Sequence, residues 1–311
     1  MESVTMPNYS YVFKFEEDFD TLEKRRWMRE NWMMCFYYIG AYMIVIYGGQ
    51  LYMQTRPRFE LRIPLFMWNV FLAVFSIWGA YRSAPELLYV LNNHGFHYSV
   101  CIPGPSLYLH PHKYSKTCED TFDQICFLDN RVGGFWNWMF TLSKVPELGD
   151  TVFIVLRKQP LIFLHWYTTH HVTVLLYAWY SYSDYIATAR WFVCMNYLVH
   201  SVMYSYYALK ALKFRVPRWI SMGITTAQLA QMVMGAAVNI WAYQVKQAGN
   251  ECHVSYDNIK ISLLMYISYF VLFAHFFCRA YVVKSDKQVG VAQDKKGSLA
   301  YEGKSTKGKV E

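Results

Sequence analysis

The stretch Arg157–Tyr182, RKQPLIFLHWYTTHHVTVLLYAWYSY, decides how the rest of the chain is read. It is apolar and aromatic, and long enough to cross a bilayer, whose hydrocarbon core takes about 20 helical residues. Yet it carries His165, His170 and His171. Imidazoles are costly to bury in lipid, and those found inside a span face a cavity or another helix where they serve a function. A single one is readily a satisfied core histidine. A cluster of this density points to chemistry.

Composition agrees with a membrane setting. Of 311 residues, 54% are hydrophobic, 19% aromatic and only 17% charged, against about 25% charged in a soluble domain. Several apolar runs of about 20 residues define an all-α polytopic membrane protein, because a helix satisfies its own backbone in lipid. Mean hydropathy is only +0.08, which fits spans that turn Tyr, His, Gln and Asn towards an internal cavity. The net charge of +8 lies in short loops and the tail, where it sets topology; it does not mark a nucleic-acid surface.

Working outward, seven transmembrane helices are expected at 32–53, 64–91, 135–156, 161–181, 186–209, 219–244 and 259–283. They make one domain, 32–283, between an N-terminal segment (1–31) and a Lys-rich tail (284–311) expected to be disordered. Lysine and arginine gather in alternate loops: Arg56, Arg58 and Arg62, then Arg157 and Lys158, then Lys210, Lys213, Arg215 and Arg218, and again in the tail. These read as cytosolic, which puts the N-terminus in the lumen and the C-terminus in the cytosol. Only the cluster Lys24–Arg29 argues the other way. Asn8, in Asn8-Tyr9-Ser10, is then a lumenal glycosylation sequon, and Lys307 and Lys309 resemble a di-lysine retrieval signal. Cys101, Cys118, Cys126 and Cys252 fall on the oxidising side. The preferred disulfide pair is Cys101–Cys252, with Cys118–Cys126 as a second, local option.

Polar residues cluster inside the spans. Lys144, Glu147 and Asp150 recur at i, i+3 and i+6, on one face of a straight helix. They can neutralise one another as buried ion pairs or hold a substrate group, and the spacing leaves both open. Asn196, His200 and Tyr204 form a stripe at i, i+4 and i+8, and Thr225, Gln228 and Gln231 form another. Single polar residues in spans commonly serve as glue between helices. Stripes at one depth on four spans read instead as a walled chamber.

The motifs KxxExxDT, a His box opening FLHWY, MNYxVHxxMYSYYAL and TxxQxxQ stand here in the order found in the ELO family of very-long-chain fatty acid elongases. The resemblance covers most of residues 27–283, and QPLIFLHWY and FVLFxxFF resemble the branch that extends long saturated and monounsaturated chains. It implies seven transmembrane helices, six of them in an inverted barrel around an acyl tunnel. It also implies a 3-oxoacyl-CoA synthase of the endoplasmic reticulum membrane, joining acyl-CoA to malonyl-CoA with no metal or cofactor, beside the other enzymes of the elongation cycle. By resemblance, His170 and His200 contact the acyl carbonyl, His165 and His171 support them, and Asn196 and Tyr204 orient His200. Lys144, Glu147, Asp150, Gln228 and Gln231 then line the substrate site. Arg157–Lys158 and Lys210–Arg218 would meet CoA phosphates.

One departure stands out. The family box is HxxHH, whereas this one is two residues longer, His165-Trp-Tyr-Thr-Thr-His170-His171. On a straight helix its histidines point to about 0°, 140° and 240°. Either Thr168-Thr169 form a bulge, or His165 leaves the cavity, or the longer box leaves an impaired enzyme. Two rival readings use some of the same features. A membrane di-iron desaturase or hydroxylase needs many more imidazoles on the cytosolic side, and here His94, His97, His110, His112 and His253 fall in lumenal loops. A seven-span receptor or transporter accounts for the spans but not for the clustered His, Lys, Glu and Asp.

Overall fold

A computed structural model describes residues 7, 9–103, 131–159 and 161–283, with backbone alone over 161–167. The expectations for Asn8, Cys118, Cys126, Lys307, Lys309 and the tail 284–311 lie outside these residues, as does the side chain of His165.

Every regular element among the described residues is helical. In order they are α1 (Lys14–Glu17), α2 (Thr21–Asn31), α3 (Met34–Gln54), α4 (Arg62–Cys101), α5 (Arg131–Ser143), α6 (Gly149–Leu156), α7 (Leu161–Asp184), α8 (Ala189–Ala211), α9 (Arg218–Gln247) and α10 (Tyr256–Phe277). A 3₁₀ turn, Pro146–Leu148, stands between α5 and α6, and a π-turn, Cys278–Val283, closes α10. Among the described residues three helical stretches are long and apolar enough to cross a membrane: Met34–Gln54, Arg62–Cys101 and Tyr256–Val282. On α3 the side chains of Tyr37, Ile44 and Leu51 are 79%, 75% and 67% exposed, an apolar face turned away from the bundle, as a membrane-crossing helix presents to lipid. Its other face buries Cys35, Tyr42, Ile46 and Met53 against α6 and α7.

Two of the expected spans take a different form. The segment expected as one helix over 135–156 is broken after Ser143. Pro146 opens the 3₁₀ turn; it has no N–H to donate, and its ring clashes with the preceding turn of a continuous helix. The span expected over 64–91 runs on to Cys101 and bends at Gly95, whose φ of 79° is open to glycine and strained for other residues.

Helix neighbours close a cycle: α4 packs on α5, α5 on α7, α7 on α10, α10 on α9, α9 on α8, and α8 back on α4. The α4–α8 contact is the most extensive. It depends on Gly79, because a Cβ there would run into the Tyr197 ring. Gly235 of α9 admits the Tyr266 ring of α10 in the same way. At one end of the bundle a Cys101–Cys252 disulfide joins the end of α4 to the α9–α10 loop. Beside it, His253 donates its amide to the Cys101 carbonyl at 2.9 Å, and Ala187 donates to the His253 carbonyl at 2.8 Å.

The N-terminal segment is included in this packing. Glu16, fully buried, takes a bidentate contact from Arg82 of α4, at 2.8 Å from Nε and 2.5 Å from Nη2. It also accepts from the Trp136 indole at 2.7 Å and from the Phe13 amide at 3.0 Å. All the acceptor capacity such a carboxylate needs is met, which is what allows it to stay buried.

Candidate active site

The break after α5 places the site. Once the chain leaves the helix at Ser143, Lys144 and Glu147 turn inward together, and both are nearly fully buried. Lys144 Nζ donates to Glu147 Oε1 at 2.7 Å, and the Ser143 hydroxyl donates to the same oxygen at 2.9 Å. Lys144 Nζ also donates to the Asn196 side-chain carbonyl on α8, at 3.1 Å, and lies over the Phe140 ring. The other carboxylate oxygen of Glu147 stands 4.0 Å from His200 Nδ1.

These contacts fix which way Asn196 and His200 face. An ammonium only donates, so Asn196 turns its carbonyl to Lys144 and has its NH₂ left for the other side. That NH₂ meets His200 Nε2 at 3.1 Å. Nε2 is therefore the accepting nitrogen of His200, and Nδ1 carries the proton on the side of Glu147. Lys144, Asn196 and His200 form a relay across two segments, with Glu147 contacting both its ends.

Asp150, expected on the same face as Lys144 and Glu147, belongs to a different contact. The break shifts its phase, and it accepts from the Trp68 indole of α4 at 2.6 Å and from the Tyr204 hydroxyl of α8 at 2.8 Å. Tyr204 sets its ring edge-on to His200, with centroids 5.3 Å apart. It thereby links the Asp150 contact to the histidine. The next residue, Thr151, accepts from Tyr42 of α3 at 2.8 Å.

The α7 histidines lie close enough to this cluster to interact with it electrostatically. His170 and His171 rings lie 5.5 Å apart, and Glu147 interacts electrostatically with Lys144, His200 and His171. His170 packs against Tyr269 and Phe273 of α10, with centroids at 4.5 and 6.1 Å. Its Nδ1 is buried and has no hydrogen-bond partner among the described residues. Buried polar atoms are nearly always paired, and this nitrogen has the capacity to make one more hydrogen bond. Thr173 and Tyr269 brace that turn: their hydroxyls are 2.6 Å apart, and both reach the His170 carbonyl.

Helix α7 is α-helical throughout Leu161–Asp184, with no bulge at Thr168-Thr169. The two extra residues are absorbed as ordinary helix, which leaves the backbone register of His165 about 140° from that of His170. The α9 stripe does not join the cluster. Gln228 donates to Met203 Sδ at 3.2 Å, Gln231 is buried, and neither hydrogen bonds to His170, His171, His200 or Lys144 among the described contacts.

Sequence reasoning passed over Trp68, Tyr42 and Tyr269, which read as ordinary aromatic residues of apolar spans. It also passed over Arg82, Glu86 and Arg190, which did carry a signal: charges inside apolar runs. Glu86 accepts from Arg190 Nε at 3.0 Å, both side chains being buried. Among the described residues no three of His, Cys, Asp and Glu gather as a metal ion would need.

The sequence pattern of the GNS1/SUR4 family matches residues 27–289 of this chain. A very long chain fatty acid elongase 6 of Drosophila melanogaster is 56% identical over 284 residues, covering 91% of this chain and 83% of the relative. The elongase 6 of Gallus gallus is 49% identical over 275 residues, 88% and 94% of the two chains. The elongase 3 of Homo sapiens is 40% identical over 272 residues, 88% and 90%.

Proposed function

The chain belongs to the ELO family, GNS1/SUR4, and from that membership we propose how its buried histidines carry the family's reaction. It is a condensing enzyme of fatty acid elongation, a very-long-chain 3-oxoacyl-CoA synthase. It joins a long-chain acyl-CoA to malonyl-CoA and yields 3-oxoacyl-CoA, carbon dioxide and CoA.

His170 is the acyl acceptor. Its Nδ1 attacks the thioester carbonyl carbon, the C–S bond breaks, and the thiolate leaves as CoA once protonated. Splitting one hard condensation into two acyl transfers is what such a nucleophile provides. Malonyl-CoA then loses carbon dioxide, and the enolate carbon attacks the acyl-imidazole. The C–N bond breaks, 3-oxoacyl-CoA leaves and His170 is restored. His200, with His171 beside it, stabilises the developing oxyanion and moves the proton. Lys144 and Asn196 orient His200, Glu147 stands against its Nδ1–H, and Tyr204 packs on its ring. Gln228, Gln231 and Asp150 line the substrate path.

What carries this reading is His170 Nδ1, buried and without a hydrogen-bond partner among the described residues, on an imidazole close enough to Glu147 and Lys144 to interact with them electrostatically. The closed cycle of helix neighbours supports six helices around an acyl tunnel with α3 outside, seven spans in all, counting α5 and α6 as one broken span. The basic residues of alternate loops support an orientation with the N-terminus lumenal and the C-terminus cytosolic, and the membrane is that of the endoplasmic reticulum, as family membership implies. There the product passes to the reducing and dehydrating enzymes of the cycle.

The test is intact mass after incubation with acyl-CoA alone. The wild type should gain one acyl group, His170→Ala none, and both His170→Ala and His200→Ala should lose malonyl-CoA-dependent carbon dioxide release. An adduct retained in His170→Ala, or full activity in either variant, overturns the assignment.

A further inference from the structure

Trp68 is not among the reacting groups, yet it holds one end of a line of contacts that reaches them. It stands near the start of α4, and its indole N–H donates to Asp150 Oδ1 at 2.6 Å. The opposite oxygen, Oδ2, accepts from the Tyr204 hydroxyl at 2.8 Å. Tyr204 is only 1% exposed and sets its ring edge-on to His200. Helices α4, α6 and α8 thus meet at one carboxylate.

The Trp68 ring is fitted to its place. A Cβ on Gly149 would stand 2.9 Å from Trp68 Cζ2 and 3.2 Å from Cη2, so α6 begins with the one residue that lets the ring lie against its backbone. Phe71 and Phe153 flank the indole, with centroids 6.3 and 6.0 Å away. Asp150 receives one uncharged donor on each oxygen. Two such donors offset only part of the penalty of burying a carboxylate, and apolar side chains would join the same helices without that penalty. Ionisable groups kept inside spans mark functional sites.

We propose that Trp68 is a positioning residue for the decarboxylative step: it fixes Asp150, Asp150 fixes the Tyr204 hydroxyl, and the Tyr204 ring holds the plane of His200. This rests on the condensing function given above. Asn196 meets His200 at Nε2, and Glu147 stands 4.0 Å from Nδ1. Contacts at the two nitrogens leave the imidazole free to rock about the line that joins them. The Tyr204 edge stops that motion, and it does so only while its hydroxyl is tied down.

The experiment compares purified full-length wild type with Trp68→Phe, Tyr204→Phe and the double variant. The substrates are palmitoyl-CoA and malonyl-CoA; kcat and KM come from carbon dioxide release, and intact mass reads the adduct formed with palmitoyl-CoA alone. Trp68→Phe removes the N–H and keeps an aromatic ring, so it should lower kcat about tenfold, as loss of a hydrogen bond to a charged acceptor does, with both KM values within about twofold. The adduct should still form. Because both substitutions act through Asp150, Trp68→Phe should add less than about twofold in the Tyr204→Phe background. A purely structural role gives losses that multiply, and an adduct that fails together with carbon dioxide release. Either of those results, or an unchanged kcat in Trp68→Phe, overturns the proposal. Gly149→Ala pushes the indole away from Asp150 and should reproduce the fall in kcat. If Trp68→Phe does not fold, Gly149→Ala decides, and a wild-type kcat there overturns the proposal. A wild type that condenses no acyl-CoA would instead refute the function on which the proposal rests.

Discussion

Replacing Glu147 separates what its pair with Lys144 does for the fold from what it does for the reaction. Both side chains are almost fully buried, at 6% and 2% exposure, and are joined at 2.7 Å. Glu147→Leu strands the Lys144 ammonium, leaving it the Asn196 carbonyl and the Phe140 ring face. Stranding one member of a buried pair costs about 3–5 kcal/mol. The double variant Lys144→Met/Glu147→Leu has no stranded charge, and apolar replacement of a whole buried pair is often neutral or stabilising by about 1–4 kcal/mol. With each single variant destabilised by about 3–5 kcal/mol and the double near zero, the double-mutant cycle should return a coupling of about 6 kcal/mol or more in magnitude, above the usual range for contacting residues. The assay is denaturant unfolding in detergent of the wild type, both single variants and the double, with malonyl-CoA-dependent carbon dioxide release measured in parallel. The single variants should be destabilised and the double restored in stability. All three should be inactive, because Lys144 sets Asn196 and Asn196 sets His200. A double variant that folds like the wild type and reacts at the wild-type rate would refute the catalytic reading and leave the pair as scaffold. A Glu147→Leu cost below about 1 kcal/mol would refute the burial argument.

Further outcomes follow from other regions of the molecule. Deleting Thr168-Thr169 turns residues 161–167 by about 200° and draws them in by about 3 Å relative to His170; elongation in microsomes should fall, and a rise would show that the longer box hinders the enzyme. The Cys101–Cys252 bridge closes a separation of 151 residues, so by chain entropy Cys252→Ser should cost up to about 5 kcal/mol; an unfolding midpoint equal with and without reductant in the wild type would refute this. Burial pushes the Glu16 carboxyl up, but hydrogen bonds from Arg82, the Phe13 amide and Trp136 outweigh it and hold the group below its ordinary value. Its folded value being the lower one, its contribution is whole above the ordinary carboxylate range and is lost as pH falls through the lowered value. Protease nicking of residues 9–31 should rise below about pH 4 in the wild type, and Glu16→Gln should flatten that dependence; a flat wild-type profile would refute the anchor.

The features legible in sequence are those that depend on one helix at a time. Apolar length and the polar stripes located the helices and placed Lys144 beside Glu147, because i and i+3 stay neighbours even across a 3₁₀ turn. The same phase argument failed for Asp150. It assumed a continuous helix through Pro146, and the break sent Asp150 to Trp68 and Tyr204 instead. Arg82, Glu86 and Arg190 were visible as charges in apolar runs, but their meaning depended on partners in other elements. Glu16, 66 positions before Arg82, lies in a polar segment whose pattern says nothing about burial.

The assignment of roles to the histidines needed three segments together. Periodicity puts Asn196 one turn before His200 and goes no further. Only Lys144, a pure donor arriving from the broken α5–α6 segment, forces the Asn196 amide round, so that its NH₂ occupies His200 Nε2. Among the described residues of the cluster, a buried imidazole nitrogen without a hydrogen-bond partner stands on α7, at His170 Nδ1. For His200 to act as the acyl acceptor, Asn196 would first have to release it, and that would leave Lys144 without its second partner. A mechanism that starts at His170 leaves the whole Lys144–Asn196–His200 relay intact while the first bond forms. Asn196→Ala should therefore spare acylation by acyl-CoA alone and impair the decarboxylative step. The intact-mass adduct should persist while carbon dioxide release falls, and loss of both together would place the first bond on His200.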